Sequence, residues 1–350
     1  MTTVPPPFPA DVSSHPLLIV DYQLVKIGNR KEIDKLWEAA TQLGFWYLKN
    51  HGADVEVQGM LDMGAETMKL PLDEKLKFEQ GDDGHSFGYK AAGANAVDDT
   101  GLLDSVEYIN VSKDDALAWP QTVHRTYPSP VNTHMETTIK PFTQKAVDVN
   151  MTMLRVFNDK LGLPQGTLAN LHRMYELSCS ESRCIRKAPA PEQPPDQQAL
   201  GAHTDFGSLS FLHHNMMGGL QGSVPLPGHA VCNVGDALAL FSGGVLRSNI
   251  HRVVPPPKEQ AAFERWSLVF FTRPANDVEL RALTEQSSII AEAVENSPDP
   301  SKFSTLQTAQ SWYYRRTKYQ RVKNRTGPES WHQSRGTEHN EQKAFAVTAN

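Results

Sequence analysis

Apolar residues recur at helical spacing across 29–43 (Ile33, Leu36, Trp37, Ala40, Leu43), which predicts an amphipathic helix capped by Asn29 and stopped at Gly44. Upstream, the proline-rich stretch 1–16 reads as an extended, poorly ordered arm, and Leu17-Leu18-Ile19-Val20-Asp21 reads as a short strand. Phe45-Trp46-Tyr47-Leu48, directly after Gly44, is aromatic and strand-like. Residues 55–68 are helical in pattern, with Pro71 marking a boundary or first turn. The polar, glycine-rich stretch 79–105 reads as a loop, and the longest amphipathic helix is expected over 137–161 before Gly162.

From 182 onward the texture changes to short β-rich runs punctuated by Gly and Pro, at 184–187, 205–212, 230–234, 237–241, 249–254 and 266–272. Strands at that spacing suggest a β-sandwich or barrel rather than alternating strands and helices. After Pro274 the pattern returns to helical and polar segments. We therefore expect one catalytic domain over 1–350: a mainly helical region over 1–180, a β core over 181–275 and a helical region over 276–350.

Composition narrows the setting. At 350 residues with 39% hydrophobic and 21% charged residues, the chain has the material for a sizeable globular core. A net charge of −6 gives no reason to expect nucleic acid or an acidic membrane as partner, and the basic stretch 313–325 reads as a solvated helix face. Three cysteines, Cys179, Cys184 and Cys232, make neither a disulfide framework nor a cysteine-rich zinc site. Reduced thiols fit an intracellular compartment. With no signal-peptide pattern, no membrane-length apolar run and no peroxisomal or lipidation signal, a cytoplasmic protein is expected.

The chemistry centres on His203-Thr204-Asp205 and on His251. Residues two apart on a strand share a face, so an extended 203–205 offers an imidazole and a carboxylate to one point. With His251 as third ligand, the set is a 2-His-1-carboxylate facial triad, which leaves positions on a ferrous ion open to small molecules and oxygen. A closed four-ligand site would instead suggest a structural metal. Arg265-Trp266-Ser267 opens a further strand and puts a guanidinium and a hydroxyl on one face, a grip for a carboxylate. Asn249 shares the strand face of His251 and suits a supporting or a purely structural role. His213 and His214 follow the metal strand, and packing or a rim position is expected of them. Gly84-His85-Ser86-Phe87-Gly88 matches the nucleophile elbow of serine hydrolases in letters, yet lacks the flanking strand and helix that motif requires. Phosphate-loop and dinucleotide fingerprints are absent.

Four runs together, Gly201 to Gly207, Asn233-Val234-Gly235-Asp236-Ala237-Leu238, Ser248-Asn249-Ile250-His251-Arg252-Val253 and Arg265-Trp266-Ser267, resemble the iron(II)/2-oxoglutarate dioxygenases. The branch is the isopenicillin N synthase-like one, in its fungal form. Gly44-Phe45-Trp46, Lys49-Asn50-His51-Gly52, Leu70-Pro71-Leu72-Asp73-Glu74-Lys75 and Gly88-Tyr89 extend the likeness through the N-terminal half, and Ser334-Arg335-Gly336-Thr337-Glu338 extends it into the tail. The resemblance implies a mainly β fold: a double-stranded β-helix (jelly-roll) core flanked by N- and C-terminal helices. It implies that His203, Asp205 and His251 hold Fe(II), that Arg265 and Ser267 bind the distal carboxylate of 2-oxoglutarate, and that O2 is the oxidant. The expected reaction couples oxidative decarboxylation of 2-oxoglutarate to hydroxylation, desaturation or cyclisation of a small organic molecule in natural-product biosynthesis. No nucleic acid, membrane or obligate protein partner is expected.

Two departures from the family pattern stand out. Cys184-Ile185-Arg186-Lys187-Ala188-Pro189 places Ala188 where relatives commonly carry a tyrosine, and Arg186 is expected on the same face. A basic residue inside a barrel is costly unless an anion meets it, so Arg186 is assigned to the cosubstrate or to a substrate carboxylate, with a solvated rim position as the alternative. The connection 222–226 is also short, which implies an altered or more open mouth. Other readings are an oxidase on the same scaffold that does not use 2-oxoglutarate, a ligand-binding protein without turnover, and a zinc hydrolase.

Overall fold

The computed structural model describes residues 5–192 and 198–337. Its strands, in chain order, are β1 (Ile19–Asp21), β2 (Phe45–Lys49), β3 (Gly88–Lys90), β4 (Val106–Ser112), β5 (Glu181–Lys187), β6 (Leu200–His203), β7 (Leu209–His214), β8 (His229–Val234), β9 (His251–Val253), β10 (Arg265–Thr272), β11 (Glu279–Arg281) and β12 (Ser304–Thr308). Eight of them bond in the order β1-β2-β8-β7-β10-β5-β4-β3, antiparallel except for the first pair. Strands β6 and β9 form a separate two-stranded sheet, and the main cavity lies between it and the large one. This is the jelly-roll arrangement. The stretch 19–112 is helical in part, and it also supplies four strands to the sheet.

Alternation along each strand sorts side chains between two environments. On β10, Arg265, Ser267, Val269 and Phe271 line the cavity, while Leu268 and Phe270 are buried against the opposite, helix-covered face. Helix Lys140–Lys160 packs there, with the Phe142 ring 6.4 Å from Phe270 and Phe157 6.2 Å from Trp46. Each such fully buried side chain stabilises the fold by about 1.5–3 kcal/mol. Helix Asp54–Lys69 approaches β5 so closely that a Cβ on Gly64 would sit 2.8 Å from Cys184 Sγ. No side chain fits at that crossing.

Several elements differ from the sequence expectation. Residues Asp236–Phe241 form a helix, not a strand. All six are buried, so the run shows no periodicity by which a strand could be told from a buried helix. The metal-motif strand breaks after His203 and resumes at Leu209, and the stretch 249–254 is a strand only at His251–Val253. The arm is docked: Gln260 Nε2 donates to Pro6 O at 2.9 Å, Phe8 lies against Gly218, and His15 N donates to Gly222 O at 2.8 Å. Cys179, Cys184 and Cys232 are free thiols in the interior. Among the described residues, no helix is long and apolar enough to cross a membrane.

Candidate functional site

His203 ends β6 and His251 begins β9, and these two residues pair directly across the small sheet. Asp205 lies just beyond the strand, and the three side chains converge. His203 Nε2 is 3.7 Å and His251 Nε2 is 3.8 Å from Asp205 Oδ1, and the three ligand atoms lie within 4.8 Å of one another. Each imidazole is oriented through its other nitrogen. His203 Nδ1 donates to Gly201 O at 2.7 Å and His251 Nδ1 to Asn249 O at 3.2 Å, which leaves both Nε2 lone pairs facing the carboxylate. Asn249 thus acts through its backbone carbonyl, while its side chain bonds Leu43 O.

The carboxylate is held equally firmly. Asp205 Oδ2 accepts from Ser210 Oγ at 2.5 Å and Asn233 Nδ2 at 2.7 Å, so Oδ1 is the oxygen turned to the histidines. Burial alone would raise the Asp205 pKa, but His251, His203 and these two donors hold it at about 2. Burial, and then the neighbouring His251, pushes His203 down to about 3. An ionised carboxylate and a neutral imidazole are the forms that bind a divalent metal. This donor set fits Fe(II): one oxygen and two nitrogen ligands gathered on one side of an open cavity.

A second polar cluster lies on the inner face of the large sheet. Arg265, 3% exposed, donates from Nε to Gly218 O at 2.9 Å and from Nη1 to Ser267 Oγ at 3.1 Å. Its Nη2 is 3.3 Å from His214 Nδ1, and no carboxylate among the described residues forms an ion pair with it. Burial lowers its pKa to about 10, so the guanidinium stays charged at neutral pH. His214 therefore belongs to this cluster, while His213 packs on the opposite face, its ring 4.3 Å from Phe211 and 5.1 Å from His51.

Arg186 is not brought to the site. Arg183 and Ile185 line the cavity, so Arg186 points to the outer face, where it bonds Glu107 at 2.6 Å and Glu264 at 2.5 Å. Its neighbour Lys187 shares the inward phase of Arg183 and Ile185 and lies just outside the cavity lining, 2% exposed and paired across the strands with Arg265. Burial, and then the Arg265 charge, lowers the Lys187 pKa. Sequence reasoning missed Lys187 because the strand's phase was taken from the wrong residue. Ser86 of the elbow-like motif bonds Glu181 and Asn110, and no histidine among the described residues hydrogen-bonds its hydroxyl. Beside the segment 222–226, a pocket lined by His15, Leu17, Gln221 and Gly222 shares Phe45 and His251 with the main cavity.

Comparison with known proteins places this geometry in context. A family model described as the 2OG-Fe(II) oxygenase superfamily matches residues 170–274, and one described as the non-haem dioxygenase in morphine synthesis N-terminal region matches 19–131. The 2-oxoglutarate-dependent dioxygenase frbH of Dothideomycetidae sp. is 30% identical over 280 residues, covering 75% of this chain and 84% of its own length. The 2-oxoglutarate-dependent dioxygenase gloE of Glarea lozoyensis is 31% identical over 266 residues, covering 71% of this chain and 77% of its own. In fold, the chain is similar to a 2OG-Fe(II) oxygenase family protein from Caulobacter crescentus, with a TM-score of 0.67 at 22% identity over 85% of this chain and 97% of that one.

Proposed function

Since the chain belongs to the 2OG-Fe(II) oxygenase superfamily and is an oxidoreductase using Fe(II), 2-oxoglutarate and O2, we propose that His203, Asp205 and His251 hold the iron and that Arg265 and Ser267 seat the distal carboxylate of 2-oxoglutarate. The observation that carries this reading is the convergence of His203 Nε2, Asp205 Oδ1 and His251 Nε2 on a cavity whose wall includes Arg265, which has no acidic partner among the described residues. When bound, the iron and 2-oxoglutarate together activate O2, with succinate and carbon dioxide released as a C–H bond of the substrate is oxidised.

The protein's own residues bind, orient and exclude water. Arg265 and Ser267 present adjacent donors to a carboxylate, and Lys187 adds a second buried cation at that end. Asn233 and Ser210 keep Asp205 ionised and turned toward the metal position. Val269, Ile185, Leu212 and Val253 give the cavity apolar walls, against which a small organic body is held dry. Hydroxylation, desaturation and cyclisation share this machinery and differ in how the substrate is posed.

Two relatives named as 2-oxoglutarate-dependent dioxygenases favour the keto acid over the oxidase alternative. A role in natural-product biosynthesis, a cytoplasmic location and a single catalytic domain complete the reading, with neither nucleic acid nor membrane as partner. The test is an anaerobic titration of 2-oxoglutarate into the Fe(II)-loaded protein, followed by its visible charge-transfer band. A saturable band that weakens in Arg265→Ala and vanishes in His203→Ala is expected. Iron binding without a band would reject the cosubstrate assignment, and no iron binding would reject the triad.

A further inference from the structure

The main cavity does not end at the triad. It runs outward between the stretch 95–97 and the C-terminal region, where Gln320, Arg325, Trp331, Ser334 and Arg335 join its wall. At this outer end Trp331 is flanked by two guanidinium groups, that of Arg325 at 4.3 Å and that of Arg335 at 4.8 Å from its ring centroid. The two arginines differ in how their donors are used. Arg335 Nη1 donates to Ala202 O at 2.8 Å. Arg325, by contrast, is half-buried as a residue, and its Nε and Nη2 are buried with no hydrogen-bond partner among the described residues.

That is an unusual state for a guanidinium. Burying such donors without partners is costly, and stacking on Trp331 meets only the face of the group, not its N–H edge. Among the described residues no carboxylate lies within ion-pair range of Arg325, although Asp98 and Asp99 act on it from a distance. Nε and Nη2 are adjacent on one edge, the pair that grips both oxygens of a planar carboxylate. Nearby walls formed by Val97, Val106 and Phe206 are apolar.

We propose that Arg325 is the recognition group for a carboxylate on the organic substrate, whose apolar body then extends inward toward the triad. This deepens the proposed function and rests on it: the primary substrate is a small carboxylic acid, held by Arg325 at the outer end of the cavity. Trp331 holds the guanidinium in place, and Arg335 adds positive potential without giving up its bond to Ala202.

The experiment is equilibrium dialysis of matched acid and amide pairs against the anaerobic protein saturated with Fe(II) and 2-oxoglutarate. The probes are phenylacetate, indole-3-acetate and decanoate, each beside its primary amide. At least one acid is expected to bind tenfold or more tightly than its amide. Arg325→Gln is expected to erase that preference, and Arg325→Lys, which keeps the charge and loses the fork, to restore part of it. Equal binding of acid and amide, no binding by any acid, or undiminished acid binding in Arg325→Gln would overturn the proposal. Wild type showing no acid preference overturns the proposal even if the variants fail to fold. The charge-transfer band, read on the same samples, separates the two ideas. Its absence from wild type rejects the iron and cosubstrate assignment, whereas its presence without acid preference rejects only the role of Arg325.

Discussion

Arg316 donates to the Asp236 carboxylate and, at 3.1 Å from Nη2, to the carbonyl oxygen of Thr204, the residue between His203 and Asp205. Both charged side chains are fully buried. Asp236 also accepts from Thr204 Oγ1 at 2.9 Å and from Ser248 Oγ at 2.8 Å, so one ion pair ties helix Ala309–Gln320 to both halves of the triad. The C-terminal region is thus part of the site's support, not an appendage to it.

Removing one partner of such a pair leaves a buried charge poorly compensated. Arg316→Ala is expected to destabilise the protein by about 3–5 kcal/mol, read as a shift of the urea unfolding midpoint. A change below about 1 kcal/mol would mean the pair is compensated by water and does not support the site.

Asn233 is the donor that, with Ser210, turns Asp205 toward the two histidines. Asn233→Ala is expected to weaken Fe(II) affinity about 10–100-fold, the usual effect of losing a group that orients a metal ligand. Competition with a chelator measures this, and a circular dichroism melt checks that the fold survives. Unchanged affinity would leave Asn233 with a packing role only.

Lys187 and Arg186 are adjacent and point to opposite faces of β5. Lys187→Met is expected to raise the Kd for 2-oxoglutarate about tenfold, whereas Arg186→Met leaves it unchanged. The reverse result in an anaerobic titration would show that the strand's phase at the cavity is opposite to the one described.

His172 is buried, with Nδ1 donating to Leu168 O at 2.7 Å and Nε2 accepting from Ser208 Oγ at 2.6 Å. Burial depresses its pKa to about 4. Between about pH 6.5 and that value the unfolded chain binds a proton that the native state refuses. Its contribution is therefore complete above about pH 6.5 and is lost as pH falls toward 4, amounting to about 3 kcal/mol. Unfolding free energies measured across that range should fall more steeply for wild type than for His172→Gln. Parallel curves would contradict the assignment.

Much of this was legible in the chain because it is local. Two-residue periodicity puts Arg265 and Ser267 on one face of a strand whatever the rest of the protein does. The helical spacing after Asn29 appears as helix Arg30–Gln42 with Asn29 as its cap. The residue types in His203-Thr204-Asp205 and His251 named the chemistry, although 203–205 is not one continuous strand: the chain turns after His203, and the small sheet brings His251 alongside.

What the tertiary structure alone decided concerns phase and distance. Whether Arg186 or Lys187 faces the cavity depends on pairing with β4 and β10, and a slip of one residue would exchange them. The run Asp236–Phe241 is buried on every side, so only packing shows that it is a helix. Arg316 reaches the backbone of Thr204, and Arg325 lines the triad's cavity, from more than fifty residues beyond His251 in the chain. Covalent geometry sets which neighbours share a face, and so it can be read from sequence. Which distant side chains meet in one desolvated cavity is set by how the sheets and helices close on each other, and no local pattern records that.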